Sequence, residues 1–167
     1  MNKIICAIAF IFLAGTSCQE KIDIEKEKDA VIKVLYEETK AFAVNDMESL
    51  SALHVKDVSD TRLAGTKLYT GWDEIEKLYE SMIERNKKDT VAENVRNEKE
   101  NIRLKVTGES AWAISDNIWK WEAKGEPFIQ QNIQITFLEK IDDEWKISFN
   151  AFVASPTPKG KVDSGQD

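Results

Sequence analysis

The 167 residues of the chain suffice for a single domain of ordinary size. Hydrophobic residues make up 42% of the sequence and charged residues 32%, a balance typical of globular proteins and not of disordered or polytopic membrane proteins. With 23 lysines and arginines against 30 aspartates and glutamates, the net charge of −7 has the wrong sign for a protein whose main partner is nucleic acid. Nucleic-acid binding is therefore not expected.

The first 17 residues have the pattern of a secretory signal peptide. Lys3 precedes an apolar run over residues 4–13, and small residues follow at 14–17. The run is too short for the roughly 20 residues that a membrane-spanning helix needs. We therefore expect residues 1–17 to be removed during export.

The residues at 13–18, Leu-Ala-Gly-Thr-Ser-Cys, resemble a bacterial lipobox. This resemblance implies that Cys18 becomes the lipid-modified first residue of the mature chain. Because Cys6 leaves with the signal peptide, Cys18 would have no partner for an intramolecular disulfide. The sequence thus predicts a protein that is lipid-anchored in the bacterial cell envelope, facing the periplasm or the surface, and that meets the membrane only through this anchor.

The mature chain is predicted to contain one domain between two short flanking segments. Residues 18–24 form a polar tether, and residues 156–167 form a tail rich in proline, glycine and serine that we expect to be disordered. The domain itself spans residues 25–155.

Three helices are predicted in the first half of this domain. Apolar residues recur three and four positions apart over residues 24–44, which predicts one long amphipathic helix. Asp46 can cap a short second helix over 47–53, and a loop with one short strand follows at 54–69. A third amphipathic helix is predicted over 72–86.

The hydrophobic period then changes from 3.6 to 2, which indicates a switch to sheet. Strands are predicted at 102–106, 111–122, 128–140 and 145–154, joined by short turns. Helices followed by hairpin-linked strands are typical of α+β proteins. We therefore expect the N-terminal helices to pack on one face of an antiparallel sheet.

Alternation along the strand at 128–140 separates an apolar set from a polar set. We expect the apolar set to face the helices and the polar set to form an outer face that suits a dimer interface or solvent equally well. The apolar set is Ile129, Ile133, Ile135 and Phe137, and the polar set is Gln130, Asn132, Gln134 and Thr136. On the preceding strand, Trp119 and Trp121 share one face and Trp112 and Asp116 the other, and alternation does not tell which face is concave.

Four motifs resemble the nuclear transport factor 2-like superfamily, also called the cystatin-like α+β cone, which includes ketosteroid isomerase and the SnoaL-like polyketide cyclases. They are Asn-Asp-Met-Glu-Ser-Leu-Ser-Ala-Leu-His at 45–54, Tyr-Thr-Gly-Trp-Asp-Glu-Ile at 69–75, Gly-Glu-Ser-Ala-Trp-Ala at 108–113 and Asp-Asp-Glu-Trp-Lys-Ile-Ser at 142–148. The resemblance implies that the N-terminal helices pack on a curved antiparallel sheet to form a cone with an internal pocket. In this superfamily the outer sheet face often forms a homodimer. Because this fold serves isomerases, dehydratases, cyclases, assembly domains and binding proteins, it assigns no function by itself.

The residues that carry ketosteroid isomerase chemistry are replaced in this sequence. The resemblance places Arg62 at the position of the aspartate base, Glu38 at that of the tyrosine, and Ile135 near that of the buried aspartic acid. An arginine cannot abstract a proton near neutral pH, and isoleucine cannot donate a hydrogen bond. We therefore do not expect that reaction.

His54 is the only histidine and falls where the pocket of the family begins. It is a candidate acid or base, together with a carboxylate such as Asp57, Asp60 or Asp116. It could also be a packing residue at the end of a helix, and each aspartate could lie in a turn or on a solvated strand face.

Arg62 is the second candidate, because a guanidinium directed into a largely apolar cone needs a carboxylate partner. Either a ligand or the protein, through Glu38 or Asp60, could supply that carboxylate. Aromatic side chains are further candidates, since they line ligand cavities but also fill ordinary cores. The candidate ligand contacts are His54, Arg62, Tyr69, Trp72, Trp112, Trp119, Ile135 and Phe149.

The spacing of histidines and carboxylates gives no metal-binding motif, and no cofactor motif occurs, so neither a metal nor a cofactor is expected. The sequence favours an envelope-anchored small-molecule binding module whose ligand is apolar and carries an anionic group. An enzyme of the isomerase, dehydratase or cyclase type that uses His54 with a carboxylate stays open as an alternative. So does a dimerisation module without a ligand, for which the cone would be filled.

Overall fold

The computed structural model describes residues 23–88 and 92–154. The predicted signal peptide, Cys18, almost all of the predicted tether and the predicted tail lie outside these ranges. Among the described residues, none of the helices is long and apolar enough to cross a membrane. The elements in chain order are α1 (Ile24–Ala43), α2 (Met47–Ala52), β1 (Thr61–Ala64), β2 (Lys67–Thr70), α3 (Trp72–Lys88), β3 (Ala92–Thr107), β4 (Ser110–Ala123), β5 (Glu126–Ile141) and β6 (Glu144–Ala154).

The three predicted helices are confirmed, and side-chain caps fix where the first two begin. Asp23 accepts hydrogen bonds from the first free amides of α1, at Glu25 and Lys26. Asp46 does the same for α2 through the amide of Ser49, at 3.0 Å. Such caps satisfy backbone donors that have no partner within the helix.

The strands form one six-stranded sheet in the order β2-β1-β6-β5-β4-β3. The sheet is mixed and not purely antiparallel as expected, because β1 pairs with β6 in parallel, with Thr61 opposite Phe149. The loop predicted to hold one short strand holds two, β1 and β2, which form a hairpin around Gly65. Strands of four residues are too short for alternation to reveal them.

The first long strand, β3, begins at Ala92, ten residues before the predicted start. Its register with β4 shifts at two places, between Glu93 and Arg96 and between Glu100 and Arg103. Bulges of this kind interrupt the period of two that identifies a strand. The sequence pattern therefore revealed only the regular end of β3.

The alternation predicted for β5 is present, but the assignment of its two faces is wrong. Gln134 and Thr136 are 2% and 1% exposed and face the helices, whereas Phe137 is 47% exposed on the outer face. Ile135, a predicted pocket residue, also lies on the outer face, opposite Ile114 of β4. For Gln134 the reason is that buried charged groups inside the cone, Glu38 and Lys99, need hydrogen-bond partners.

Apolar side chains fill one end of the cone, between the first half of α1 and the sheet. Val31, Leu35, Leu138 and Ile147 are each at most 1% exposed there, and Trp145 is 5% exposed. A second apolar cluster joins α1, α2 and α3 and contains Ala41, Leu50, Trp72, Ile75 and Tyr79. These two clusters hold the helices on the sheet and leave the space between them for the polar groups described next.

Candidate functional site

A cavity of about 510 Å³ lies on the concave side of the sheet, beside α1 and α3. Aromatic side chains form much of its wall, two charged side chains lie at its buried end, and two exposed side chains of α3 lie at the other end. The aromatic residues are Phe42, Trp119, Trp121 and Phe152, the buried charged residues are Glu38 and Arg62, and the exposed residues are Arg85 and Asn86. The volume lies within the range of roughly 300 to 1,000 Å³ that is usual for ligand pockets.

Arg62 lies at the buried end of the cavity with its guanidinium between two rings. The guanidinium carbon is 4.4 Å from the ring centre of Tyr79 and 4.9 Å from that of Phe152. Its Nη1 donates to the hydroxyl of Tyr79 and lies 3.7 Å from Oε1 of Glu38. Its buried Nε has no hydrogen-bond partner among the described residues. The protein thus supplies the carboxylate that this arginine needs, and one N–H of the guanidinium is left unpaired.

Glu38 accepts hydrogen bonds at both carboxylate oxygens. Tyr79 and Asn150 donate to Oε1 at 3.2 and 2.9 Å, and Gln134 donates to Oε2 at 3.1 Å. These donors come from α3, β6 and β5, so the carboxylate ties three elements to α1. Such bonding is what allows a charged group to be only 3% exposed.

His54 lies behind this layer and does not line the cavity. Its Nδ1 is 3.0 Å from Oδ2 of Asp60, and its Nε2 is 3.1 Å from the hydroxyl of Tyr79. The side chains of His54 and Asp60 are both 0% exposed. His54, the candidate acid or base, is therefore within hydrogen-bond reach of the Asp60 carboxylate. Among the described residues, Tyr79 connects this pair to the residues at the cavity.

Tyr79 is the centre of this cluster, since it contacts Arg62, Glu38 and His54 at one hydroxyl. Burial raises the pKa of Tyr79 well above its ordinary value of 10.0, and the Glu38 carboxylate raises it further, while Arg62 lowers it in part. The phenol is therefore un-ionised at any ordinary pH.

Lys99 extends the polar cluster to β3. Its ammonium donates to Gln134 and, at 3.2 Å, to Oδ1 of Asn117. Burial lowers the pKa of Lys99 below its ordinary value of 10.5, and the nearby Glu38 carboxylate opposes that shift. The concave face of β4 thus carries Asn117 together with Trp119, which settles the face that alternation left open.

Besides His54, the predicted site residues fall into three groups. Arg62 and Trp119 line the cavity. Trp72 and the half-buried Tyr69 belong to the cluster around α2 and α3, where the Trp72 ring centre is 5.3 Å from that of His54. The others lie on the outer face of the sheet: Trp112, Ile135, Phe149 and Asp116.

Asp116 is far from the role considered for it with His54. Its Oδ2 accepts a hydrogen bond from Asn101 Nδ2 at 2.7 Å, across from Ile133 of β5 on the outer face. Phe149 and Trp112 flank Phe137 there in neighbouring strands, and the Phe137 and Phe149 ring centres are 5.6 Å apart. For Phe149 the reason is the bulge in the β5–β6 pairing between Phe137 and Leu138, which puts Phe149 on the outer face although Ile147, two residues earlier, lies in the core.

Sequence reasoning missed four residues of the polar cluster: Tyr79, Lys99, Gln134 and Asn150. Tyr79 falls on the apolar face of α3, and a tyrosine in that position is ordinarily a core residue. The inward position of Gln134 could have been inferred from the sequence, because a buried Glu38 needs a polar partner on the facing strand. In the described parts of the chain, no group of three or more His, Cys, Asp or Glu side chains is arranged to hold a metal ion.

No family model matches the sequence, and no curated protein matches it either. Solved structures do match. A provisionally assigned scytalone dehydratase from Novosphingobium aromaticivorans is 20% identical with a TM-score of 0.65, covering 83% of this chain and 90% of that one. A provisionally assigned dehydratase of the NTF2-like family from Streptomyces avermitilis is 14% identical with a TM-score of 0.69, covering 80% and 99%.

An assembly module has a similar structure as well. The association domain of CaMKII from C. elegans is 16% identical with a TM-score of 0.64, and the match covers 78% of this chain and 98% of that domain. At such identities the similarity establishes the fold and not the activity. The α+β cone inferred from the four sequence motifs is therefore confirmed.

Proposed function

We propose that this chain, which has the NTF2-like fold, is a small-molecule binding module whose ligand is an apolar molecule with an anionic group. One observation carries the proposal: the cavity of about 510 Å³ has an aromatic wall and a buried arginine with an unpaired N–H at its end. The wall offers apolar burial, and the arginine offers orientation.

The charges at the cavity favour an anion over a cation. Glu38 is matched by Arg62, and Arg85 adds a second positive charge at the exposed end. The carboxylate of Glu38 already accepts three hydrogen bonds, whereas Nε of Arg62 has no partner among the described residues. Nε has almost no exposed surface, so a ligand carboxylate would accept from this unpaired donor after a small shift of the Arg62 side chain, whereas a ligand ammonium would have to displace an existing donor of Glu38.

A thermal-shift screen of aromatic and medium-chain carboxylic acids, each beside its primary alcohol, tests this proposal. The wild type should be stabilised more by the acids than by the alcohols. Arg62→Gln should weaken acid binding by about tenfold to a hundredfold, the value of a charge-assisted hydrogen bond. Arg103→Gln, the same change at an exposed arginine of β3 that does not line the cavity, is the matched control and should bind as the wild type does. Equal shifts for acids and alcohols would contradict the anionic group, and no shift for any compound would contradict binding.

A second candidate function is an enzyme of the isomerase, dehydratase or cyclase type. The observation that favours it is the pairing of His54 with Asp60 and its link through Tyr79 to Glu38 at the cavity. Buried pairs of titratable groups beside a cavity are common in active sites. Turnover of a bound acid that Glu38→Gln abolishes without loss of binding would establish it, and turnover unaffected by that change would exclude these residues.

We also propose that the chain forms a homodimer through the outer face of the sheet. This face is apolar, contrary to the sequence expectation, with Phe137 47% and Val153 43% exposed beside Trp112, Ile135 and Phe149. An apolar patch of this kind on a soluble domain usually marks an interface. Phe137→Glu should convert a dimer to a monomer in analytical ultracentrifugation, while Val58→Glu, at a loop valine that is 85% exposed, should not. A wild type that is monomeric at high concentration would refute the dimer.

The localisation proposed here is the bacterial cell envelope, with the chain anchored by lipid at Cys18. Its support is the lipobox-like sequence and the single cysteine that the mature chain would retain. Cys18→Ala should move the protein from the membrane fraction to the soluble fraction, and Cys6→Ala should leave it in the membrane. A soluble wild type whose mature N-terminus is not Cys18 would refute the anchor.

A further inference from the structure

We propose that Glu38, Tyr79 and His54 form a proton relay, with Asp60 at its far end, through which the buried end of the cavity exchanges protons with His54. Glu38 is the member that meets a bound molecule, and His54 is a positioning residue that acts through Tyr79. The proposal rests on the proposed function only in requiring that the cavity bind a molecule, because the relay itself is a property of the protein without ligand.

The geometry gives a continuous path from the cavity to the interior. Glu38 lines the cavity, and its Oε1 is 3.2 Å from the Tyr79 hydroxyl. That hydroxyl is 3.1 Å from Nε2 of His54, and Nδ1 of His54 is 3.0 Å from Oδ2 of Asp60. Tyr79, His54 and Asp60 are buried and do not line the cavity, so within the described residues Glu38 is the member of this chain that meets the cavity.

Counting protons shows that the chain has two arrangements. The Tyr79 hydroxyl has one proton, so it can donate either to Glu38 or to Nε2 of His54, but not to both. When Tyr79 donates to Glu38, Nε2 must carry a proton and donate to the phenol oxygen. Because Nδ1 also donates, to the Asp60 carboxylate, His54 is then an imidazolium. When Tyr79 donates to His54, the ring is neutral with its proton on Nδ1.

With Glu38 ionised in both, the imidazolium arrangement holds one proton more than the neutral arrangement. A proton that a bound molecule releases to Glu38 passes to the Tyr79 oxygen, while the original Tyr79 proton passes to Nε2 of His54. One bond to hydrogen breaks and one forms at each step, and no electrons are exchanged with another reactant. The bonding pair left on the bound molecule gives it a negative charge that Arg62 can meet, and the new imidazolium is balanced by Asp60.

The groups around the relay suit this exchange. Arg62 from β1 and Lys99 from β3 act on Glu38, and Arg62 also donates to the Tyr79 oxygen in both arrangements. The raised pKa of Tyr79 means that the phenol passes protons as a neutral hydroxyl and does not ionise. The ring of Trp72 covers His54 and brings no charge.

The single histidine makes the relay observable without a ligand. In the chain labelled with ¹⁵N-histidine, one set of ring nitrogen signals reports the ratio of imidazolium to neutral His54 and the tautomer of the neutral form. We expect Glu38→Gln to lower that ratio by about tenfold at matched pH, because the imidazolium arrangement loses the charged acceptor of the Tyr79 proton. Glu37→Gln, the same change one residue earlier on α1, should leave the ratio within about twofold.

A double-mutant cycle separates the relay from the charge of Glu38 acting through space. In a Tyr79→Phe background the Glu38→Gln change should alter the ratio by less than about threefold, since the hydroxyl that connects the two residues is absent. An equal effect of Glu38→Gln with and without the hydroxyl would overturn the relay, and so would no effect in either background.

A second measurement needs no variant. Neutral His54 of the wild type must carry its proton on Nδ1, and a neutral form with the proton on Nε2 would overturn the relay even if Tyr79→Phe fails to fold. These measurements also distinguish the two proposals. If the ring nitrogen signals agree with the relay but the protein binds none of the screened acids, the relay stands and the binding proposal is refuted. If the protein binds acids but the signals disagree with the relay, only the relay is refuted.

Discussion

Helix α1 contributes to both ends of the cone. One end, which we call the closed end, is apolar, and the other is polar and contains the cavity. At the closed end, Val31 and Leu35 of α1 pack against Leu138 and Ile147 with at most 1% exposure. One turn later, Glu38 faces a buried polar cluster and the cavity. Apolar contacts at the closed end position α1, which lets the next turn place a buried charge against the sheet. Stability and site chemistry are therefore separable along this helix.

The largest predicted effect comes from leaving one buried charge without its partner. Arg62→Met should lower the free energy of unfolding by about 3 to 5 kcal/mol, because Glu38 then remains charged and buried. Arg62→Met combined with Glu38→Gln should recover most of this loss, since the glutamine keeps hydrogen-bonding capacity without charge. Urea denaturation of both variants measures the difference. Equal losses of unfolding free energy in the single and double variants would show that the packing of Arg62, and not its charge, stabilises the polar end.

A substitution at the closed end should lower stability without affecting ligand binding. Leu138→Ala should cost about 2 to 5 kcal/mol of unfolding free energy, because a side chain that is 1% exposed leaves a cavity. The shift that an acid ligand causes should be retained, as the site is at the other end. Leu68→Ala, at a leucine that is 55% exposed on β2, is the control and should cost little. A Leu138→Ala variant that folds but no longer binds the acid ligand would contradict the separation of stability from binding along the cone.

A pH-dependent contact at the closed end should contribute less to the free energy of unfolding. Lys140 and Trp145 donate to Glu27 at 2.8 and 2.7 Å, and the Lys140 bond lowers the pKa of Glu27 below its ordinary value of 4.5. A lowered pKa in the folded state means that this stabilisation is present above pH 4.5 and is lost as the pH falls through the folded-state value. Glu27→Gln should therefore cost about 1 kcal/mol at pH 7.

The measurement for Glu27 is the difference in unfolding free energy between wild type and Glu27→Gln from pH 7 to pH 3. It should narrow below pH 4.5 as Glu27 becomes protonated. Glu80→Gln, at an exposed position on α3, should show no such narrowing. A difference that stays constant with pH would mean that the shape of the side chain, and not its charge, supports this contact.

The smallest effect concerns the turn before α3. Gly71 has φ +82°, and its amide donates to the Asp60 carbonyl at 2.8 Å. This bond fixes the backbone of Asp60, the residue that pairs with His54. Gly71→Ala should cost about 1 kcal/mol of stability through backbone strain. Gly125→Ala, at φ +76° in a distant hairpin, should cost a similar amount. Only the Gly71 variant should also change the ring nitrogen signals of His54, and an unchanged spectrum would contradict this link.

Much of the fold was predictable because long helices and strands repeat a pattern over many residues. The period of α1 and the switch to alternation after α3 are examples. The faces of β5 were not predictable, because alternation defines two sets of residues but not which set lies inside. The rule that apolar residues face the helices failed at Gln134 and Thr136, and at Gln134 the reason is that the buried carboxylate of Glu38 on α1 needs a hydrogen-bond donor.

The candidate site was predictable only in part. Glu38 was recognised as one partner that Arg62 could have, since a buried guanidinium needs a carboxylate, and the two do pair. Asp60 was considered for the same role and pairs with His54 instead. Tyr79 joins the cluster through Arg62, 17 positions away in sequence, and Lys99 joins it through Gln134, 35 positions away. A one-dimensional pattern holds no record of such contacts.

The parallel pairing of β1 with β6 sets the moment in biosynthesis at which the cavity can exist. Thr61 pairs with Phe149, and Arg62 with Asn150, so β1 has no place in the sheet until the last strand has been made. During translation, the helices and the residues around Arg62 must wait for the C-terminal strand before the wall that contains Phe152 closes. Contacts between such distant segments slow folding. A nascent chain stalled before residue 149 would therefore have its arginine and its helices but no binding site.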